Sequence, residues 1–277
     1  MLNIKSKVKL NNGVEIPWFG LGTFRAKGDE TVSAVKEAIN LGYIHIDTAL
    51  IYGNEKEVGQ GIRESGIKRE DLIVTTKLWT GDHGYETSLK AIETSLENLG
   101  LDYVDLYLVH WPVESKLHST WKAMEEIAQK GLSRAVGVSN FTPRLLDELK
   151  EKSSFIPAVN QVEYQPFLNQ KELLAYCQKA GIQLEAYSPL TRGRKLDNPT
   201  LVKVAEKHEK TAAQILLRWD LQTEVVTIPK SVTPSRIAEN ANIFDFELDQ
   251  EDMAILNNMN EDLRFIHPDF APAEWKK

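Results

Sequence analysis

The chain has 277 residues, 42% hydrophobic and 26% charged, an ordinary globular balance at a length that one large α/β domain commonly fills. A formal net charge of −7 argues against a general nucleic-acid or acidic-membrane surface, and a single cysteine, Cys177, leaves no intramolecular disulfide to form. The first ten residues lack the apolar core of a signal peptide, and no stretch reaches the ~18 uncharged apolar residues of a membrane span, so a cytoplasmic protein with no membrane partner is expected.

Residues 8–16 come first, with Asn12-Gly13 between two alternating segments, the composition of a tight hairpin. Short apolar runs then recur at 19–23, 44–48, 73–77, 104–110, 135–139, 158–162, 183–187 and 225–229. Helical stretches lie between them at 29–40, 86–99, 118–130, 142–152 and 170–180. In the second of these, Leu89, Ile92, Leu96 and Leu99 fall on one face. Cys177 shares an apolar face with Leu173, Leu174 and Ala180 and reads as packing. The strand runs are near-continuously apolar, as expected when both faces of a sheet are covered. Strict βα alternation permits a doubly wound sheet or a closed barrel, and eight repeats favour the (β/α)8 TIM barrel. The hairpin precedes the first barrel strand and is expected to close the bottom. Residues 249–259 add a C-terminal helix and 265–272 a tail with little regular structure. No interdomain linker interrupts the pattern, so 1–277 is read as one α/β domain.

Three successive strands end on ionisable groups. Asp47 closes the second, Lys77 the third and His110 the fourth, while Tyr52 follows on the loop after Asp47. In a barrel, the C-terminal ends of the strands converge on one mouth, where catalysis occurs. A free phenol has a pKa near ~10 and is a sluggish proton donor, so a lysine beside a tyrosine suggests an activated acid. Asp47 would keep Lys77 charged, and His110 would orient a carbonyl oxygen. Each residue alone has a plainer reading: a helix cap, a strand terminus, a core histidine, a tyrosine packed on Trp79 or Trp111. Together at one mouth they favour chemistry, with Phe24, Trp79 and Trp111 beside His110, and parts of the tail around 265–268, as candidate substrate walls.

A reductase also needs a hydride source. Gly20-Leu-Gly22 begins like a dinucleotide fingerprint, but Arg25 stands where the third glycine belongs. A better anion site lies just beyond the eighth strand, where Lys230, Ser231 and Thr233 precede a short helix with Arg236 in its first turn. Two cations with neighbouring hydroxyls suit the 2′-phosphate of NADP, while the plainer reading is an N-capped surface helix. Arg192, Arg194 and Lys195 form a basic loop after the seventh strand. They either attract acidic substrates, clasp a pyrophosphate, or are simply solvated.

Residues 42–59, 135–141 and 228–240 resemble the aldo-keto reductase family, and the likeness runs from 19 to about 264. Among its branches the chain is most similar to bacterial glyoxal and 2,5-diketogluconate reductase-like members. Two positions depart from the family: Ile44 stands where Arg is common, and Phe24 where a pocket Trp is frequent. The resemblance implies metal-free, NADPH-dependent reduction of a small-molecule carbonyl, with 2-oxoaldehydes or keto-sugar derivatives as candidate substrates. It places Ser139, Asn140 and Gln161 at the nicotinamide carboxamide and Tyr187 on the ring. Ser188 and Leu190 fall near the pyrophosphate, with Gly22 and Thr23 also at the cofactor. Lys230, Ser231, Val232, Thr233 and Arg236 fall at the 2′-phosphate region, and Glu239 and Asn240 at the adenine. A monomer is expected. Two other classes remain open: a metal-dependent barrel hydrolase using His45, Asp47 and His110, and a non-catalytic NADPH-binding module that senses redox state.

Overall fold

The computed structural model describes residues 2–275. Two short strands, β1 (Lys7–Lys9) and β2 (Glu15–Pro17), pair antiparallel with Val8 opposite Ile16. Eight strands follow: β3 (Leu21–Gly22), β4 (His45–Asp47), β5 (Ile73–Leu78), β6 (Val104–Val109), β7 (Ser133–Ser139), β8 (Val159–Glu163), β9 (Gln183–Tyr187) and β10 (Val226–Thr227). Each pairs in parallel with the next in sequence. The ring closes through bridges from Phe19 to Thr227 and from Gly22 to Lys230, so the sheet is the expected barrel. The closing strands are shorter than the apolar runs because they meet through single bridges. Backbones come very close at this seam: a Cβ on Gly22 would lie 2.8 Å from the Ile228 carbonyl oxygen.

Helices α1 (Gly28–Asn40), α2 (Glu55–Ser65), α3 (Tyr85–Leu99), α4 (Leu117–Gln129), α5 (Pro143–Lys152) and α6 (Lys171–Ala180) follow β3 to β8 in turn. The pair α7 (Pro199–Lys207) and α8 (Ala212–Gln222) follows β9, and α9 (Pro234–Ala241) and α10 (Gln250–Asn257) follow β10. Two glycines, Gly59 and Gly61, weaken the intrinsic helix propensity of α2, but close packing against α3 and α1 requires both. A Cβ on Gly59 would lie 2.0 Å from the Leu99 carbonyl oxygen at the end of α3. Among the described residues no helix is long and apolar enough to cross a membrane.

The main core lies between strands and helices and includes Phe19, Ile46, Val74, Tyr107, Val136, Val162 and Leu184. Cys177 belongs to it, and burial pushes its thiol up to about 12. A smaller cluster packs Leu10 and Ile16 of the hairpin against Ile73, Leu106, Ala135, Val159 and Val226 at the strand starts. The Asn11 amide donates to the Pro157 carbonyl and the Asn12 amide to the Arg134 carbonyl, both at 3.0 Å. The hairpin therefore closes the bottom of the barrel. Higher up the interior turns polar, with His45, Asp47, Thr75, Lys77, Gln161 and Glu185 all buried.

Candidate active site

Adjacent strands carry Asp47 and Lys77 to the barrel mouth, and the two side chains meet. Lys77 Nζ donates to Asp47 Oδ1 at 2.6 Å, to Oδ2 at 2.7 Å and to the Thr48 carbonyl at 2.8 Å, which uses all three of its N–H bonds. The lysine is fully buried. A buried ammonium is tolerable only when paired this completely.

Tyr52 ends a short turn over Leu50–Tyr52 that Gly53 reverses at φ 67°. The next two residues lash this turn to the strands. Asn54 accepts from Thr48 Oγ1 at 2.8 Å and donates to the Thr23 carbonyl at 2.9 Å and the Ala26 carbonyl at 3.1 Å. Glu55 accepts from Thr76 Oγ1, beside Lys77, at 2.6 Å. Lys77 Nζ thereby sits 5.2 Å from the centre of the Tyr52 ring, and the His110 ring meets Tyr52 edge-on at 5.6 Å.

The electrostatics correct one expectation. The Tyr52 phenol is not lowered despite the nearby Lys77. Burial, and secondarily the Asp47 charge, hold the phenol well above its ordinary value. Burial and then Lys77 hold His110 well below the usual imidazole range, so the ring is neutral. Its Nδ1 is buried with no hydrogen-bond partner among the described residues, which leaves Nε2 toward the cleft.

The site opens into a cleft of ≈ 1000 Å³. One end is aromatic: Phe24 lies 5.0 Å from Tyr52, Trp79 lies 5.3 Å from His110, and Phe270 packs edge-on against Trp79 and Trp111 at 5.9 and 5.6 Å. Phe24 and Phe270 remain 45% and 48% exposed, leaving apolar surface at the mouth. The far end holds Lys230, Ser231, Val232, Thr233, Arg236, Glu239 and Asn240, as the anion loop predicts. Among the described residues neither Lys230 nor Arg236 has an ion-pair partner within salt-bridge reach, and the buried Asn240 side chain makes no hydrogen bond.

Between the ends lie Gly22, Asn140, Gln161, Tyr187, Ser188 and Leu190. Thr23 and Ser139 do not line the cleft; their hydroxyls turn inward and donate to the Asp47 and Gln161 carbonyls at 2.9 and 2.8 Å. The two amides also differ from the simple expectation that they face a ligand as both donor and acceptor. Asn140 Nδ2 donates to the His110 carbonyl and to Ser139 Oγ, and Gln161 Nε2 donates to Asp47 and Glu185. Gln161 thus faces the cleft through Oε1. Of the basic loop, Arg192 lines the cleft, whereas Lys195 pairs with Glu261 at 2.8 Å and Arg194 covers Phe265. His45 turns to Thr75 rather than to Asp47 and His110, and among the described residues no three His, Cys, Asp or Glu side chains are grouped to hold a metal.

Several lining residues carried no sequence signal. Phe270 comes from the irregular tail, and Arg25 from the loop after β3. Arg25, Asn140, Ser188 and Arg192 all line the cleft with left-handed backbone, φ between 52° and 66°, a conformation costly for residues with a Cβ. Such strain, concentrated around a cleft, is visible only in the folded chain.

A closed (β/α)8 barrel with a buried Asp–Lys pair, a phenol and a neutral imidazole at its mouth defines a barrel oxidoreductase. Residues 19–261 match the model of the Aldo/keto reductase family. The chain is 56% identical over 263 residues to glyoxal reductase of Bacillus subtilis, with 95% of each chain covered. It is 50% identical over 261 residues to 9,11-endoperoxide prostaglandin H2 reductase of Trypanosoma cruzi, covering 93% of this chain and 92% of the other. The crystal structure of a Bombyx mori aldo-keto reductase in complex with NADP superposes with a TM-score of 0.88 at 40% identity, covering 95% of both chains. The chain belongs to the aldo/keto reductase family and is an NADP-dependent oxidoreductase.

Proposed function

We propose that the protein reduces aldehydes and ketones to alcohols with NADPH, with Tyr52 as general acid and small 2-oxoaldehydes or keto-sugar derivatives as substrates. The observation that carries this reading is the Tyr52 phenol held between the buried Asp47–Lys77 pair and His110 at one end of a cleft whose other end presents unpaired cations. The residues fit the cofactor: Lys230 and Arg236, with Ser231, Val232 and Thr233, would hold the 2′-phosphate, and Glu239 and Asn240 the adenine. Gly22, Ser188 and Leu190 would lie along the pyrophosphate, Tyr187 on the ring, and Asn140 and Gln161 at the carboxamide. When bound, NADPH supplies the hydride that reaches the carbonyl carbon.

The chain's own groups handle the oxygen. The raised Tyr52 phenol stays protonated through neutral pH, so the acid form is always present. Its proton passes from Oη to the carbonyl oxygen, and Lys77 opposes the negative charge that develops on the ring. Asp47 holds Lys77 in place, so that its charge is already oriented beside the ring when the proton leaves. The neutral His110, with Nε2 toward the cleft, donates to the same oxygen and orients it. Phe24, Trp79, Trp111 and Phe270 give the reacting end an apolar wall against which a substrate would displace water.

The test follows NADPH absorbance on adding methylglyoxal, an aromatic aldehyde or a keto-sugar acid to the protein and to Tyr52→Phe. Turnover is expected to fall about 10²–10⁴-fold in the variant, with NADPH affinity unchanged. Comparable turnover by the variant would remove Tyr52 from the acid role. Tight NADPH binding with no turnover of any carbonyl would favour a cofactor-sensing module.

A further inference from the structure

One buried carboxyl takes no part in the proton transfer above. Glu185, on β9, is fully buried; its Oε2 accepts from Gln161 Nε2 at 2.9 Å, and among the described residues its Oε1 has no hydrogen-bond partner. The other Gln161 N–H goes to Asp47 Oδ2 at 2.9 Å, so a single amide bridges two carboxyls. Among the described residues the one basic atom within salt-bridge reach of Glu185 is His45 Nε2 at 3.8 Å, itself 3.0 Å from Thr75 Oγ1. Lys77, Asp47, Gln161, Glu185, His45 and Thr75 thus form a polar ring across the barrel. On the remaining side β10 sets Val226 in register with Glu185 and brings no charge.

The ring is short of positive charge. Lys77 is its one lasting cation, and Asp47 takes two of that lysine's hydrogen bonds. Burial, then the charge of Lys77, holds His45 down at about 3, so it stays neutral. Asp47 has the cation in direct contact and the Gln161 donor; Glu185 accepts only from the neutral amide and feels Lys77 from farther away. Two buried carboxylates cannot both ionise cheaply on that support, so the less supported one, Glu185, keeps its proton. Burial raises both carboxyls; for Glu185, burial first and then the Asp47 charge outweigh Gln161 and the more distant Lys77 and push it up to about 8.

We infer that Glu185 is a positioning residue that sets the charge beneath the nicotinamide end of the cleft, so that its ionisation favours the oxidised cofactor over the reduced one. This rests on the cofactor reading above, with Gln161 at the carboxamide. The oxidised ring carries a positive charge that the reduced ring lacks, so a carboxylate emerging behind Gln161 attracts one form and not the other.

Binding alone tests this. Dissociation constants of NADP and NADPH are measured by quenching of tryptophan fluorescence from about pH 6.5 to about pH 9, a span around the Glu185 titration. The 2′-phosphate titrates in both nucleotides and cancels in their ratio. For the unmodified protein, the NADP-to-NADPH ratio of dissociation constants is expected to fall about tenfold over that span. For Glu185→Gln it should stay flat at the value the unmodified protein shows at the acid end, and Glu185→Met supplies a second neutral side chain. A flat ratio in the unmodified protein, or the same slope in either folded variant, would overturn the inference. Failure of both nucleotides to bind would overturn the cofactor reading and this inference with it.

Discussion

The two ends of the cleft are built on opposite principles. At the reacting end, Lys77 is fully buried, Asp47 nearly so, and every lysine N–H already has an acceptor. At the anion end, Lys230 and Arg236 are exposed and have no ion pair among the described residues. The difference teaches how the two kinds of charge would serve the proposed reaction. A charge that must act on a developing phenolate has to be oriented beforehand, because reorienting it during the reaction would add to the barrier. A charge that captures an anion is more effective unpaired, because a built-in partner would have to be displaced first.

Lys77→Met should break this contrast most severely. It removes the charge beside Tyr52 and leaves Asp47 buried with no cation. Turnover is expected to fall about 10²–10⁴-fold, and breaking a buried pair costs about 3–5 kcal/mol of stability. Steady-state kinetics and a thermal melt read both effects; an unchanged melting temperature would mean Asp47 is relieved in some other way. Arg236→Ala should sharpen the contrast from the other side. It should weaken NADPH by about 10–100-fold, the loss of a charged hydrogen bond, while leaving NADH binding and the melting temperature nearly as they were. Equal losses for both cofactors would show that Arg236 does not meet the 2′-phosphate. Phe270→Ala has the smallest expected effect. Losing its edge contacts with Trp79 and Trp111 should raise KM for an aromatic aldehyde about three- to tenfold, with cofactor affinity untouched. A KM that does not move would place substrate away from the tail.

The difference between the ends also explains which parts of the site were readable early. Lys230 through Asn240 form one local segment, so its cations and hydroxyls are legible together and reach the cleft together. The strand-end positions of Asp47, Lys77 and His110 follow from counting βα repeats, and the structure brings them together with Tyr52. The sign of the effect on the phenol was not legible. Proximity of a lysine suggests a lowered pKa, but burial and Asp47 decide the balance, and both depend on distances in the folded barrel. Matching by position also brought in Thr23 and Ser139, whose hydroxyls turn to backbone carbonyls instead of the cleft. Nothing local in the sequence tells Gln161 Nε2 that Asp47 and Glu185 will take both of its hydrogens, or tells Phe270 that it will meet two tryptophans.

What the sequence determined by itself is what short-range chemistry encodes. Eight apolar runs alternating with amphipathic helices lead to a closed parallel barrel, and Asn12-Gly13 makes the turn that lets Leu10 and Ile16 close its bottom. Tertiary structure alone decided which oxygen each proton faces, which carboxyl of the polar ring lacks a cation in contact, and that Phe270 joins residues 265–268 of the tail at the cleft. Those outcomes depend on contacts between β4, β5, β8 and β9 and the C-terminal segment, far apart along the chain. They arise from desolvation and pairing inside a barrel, which do not exist until the barrel has closed.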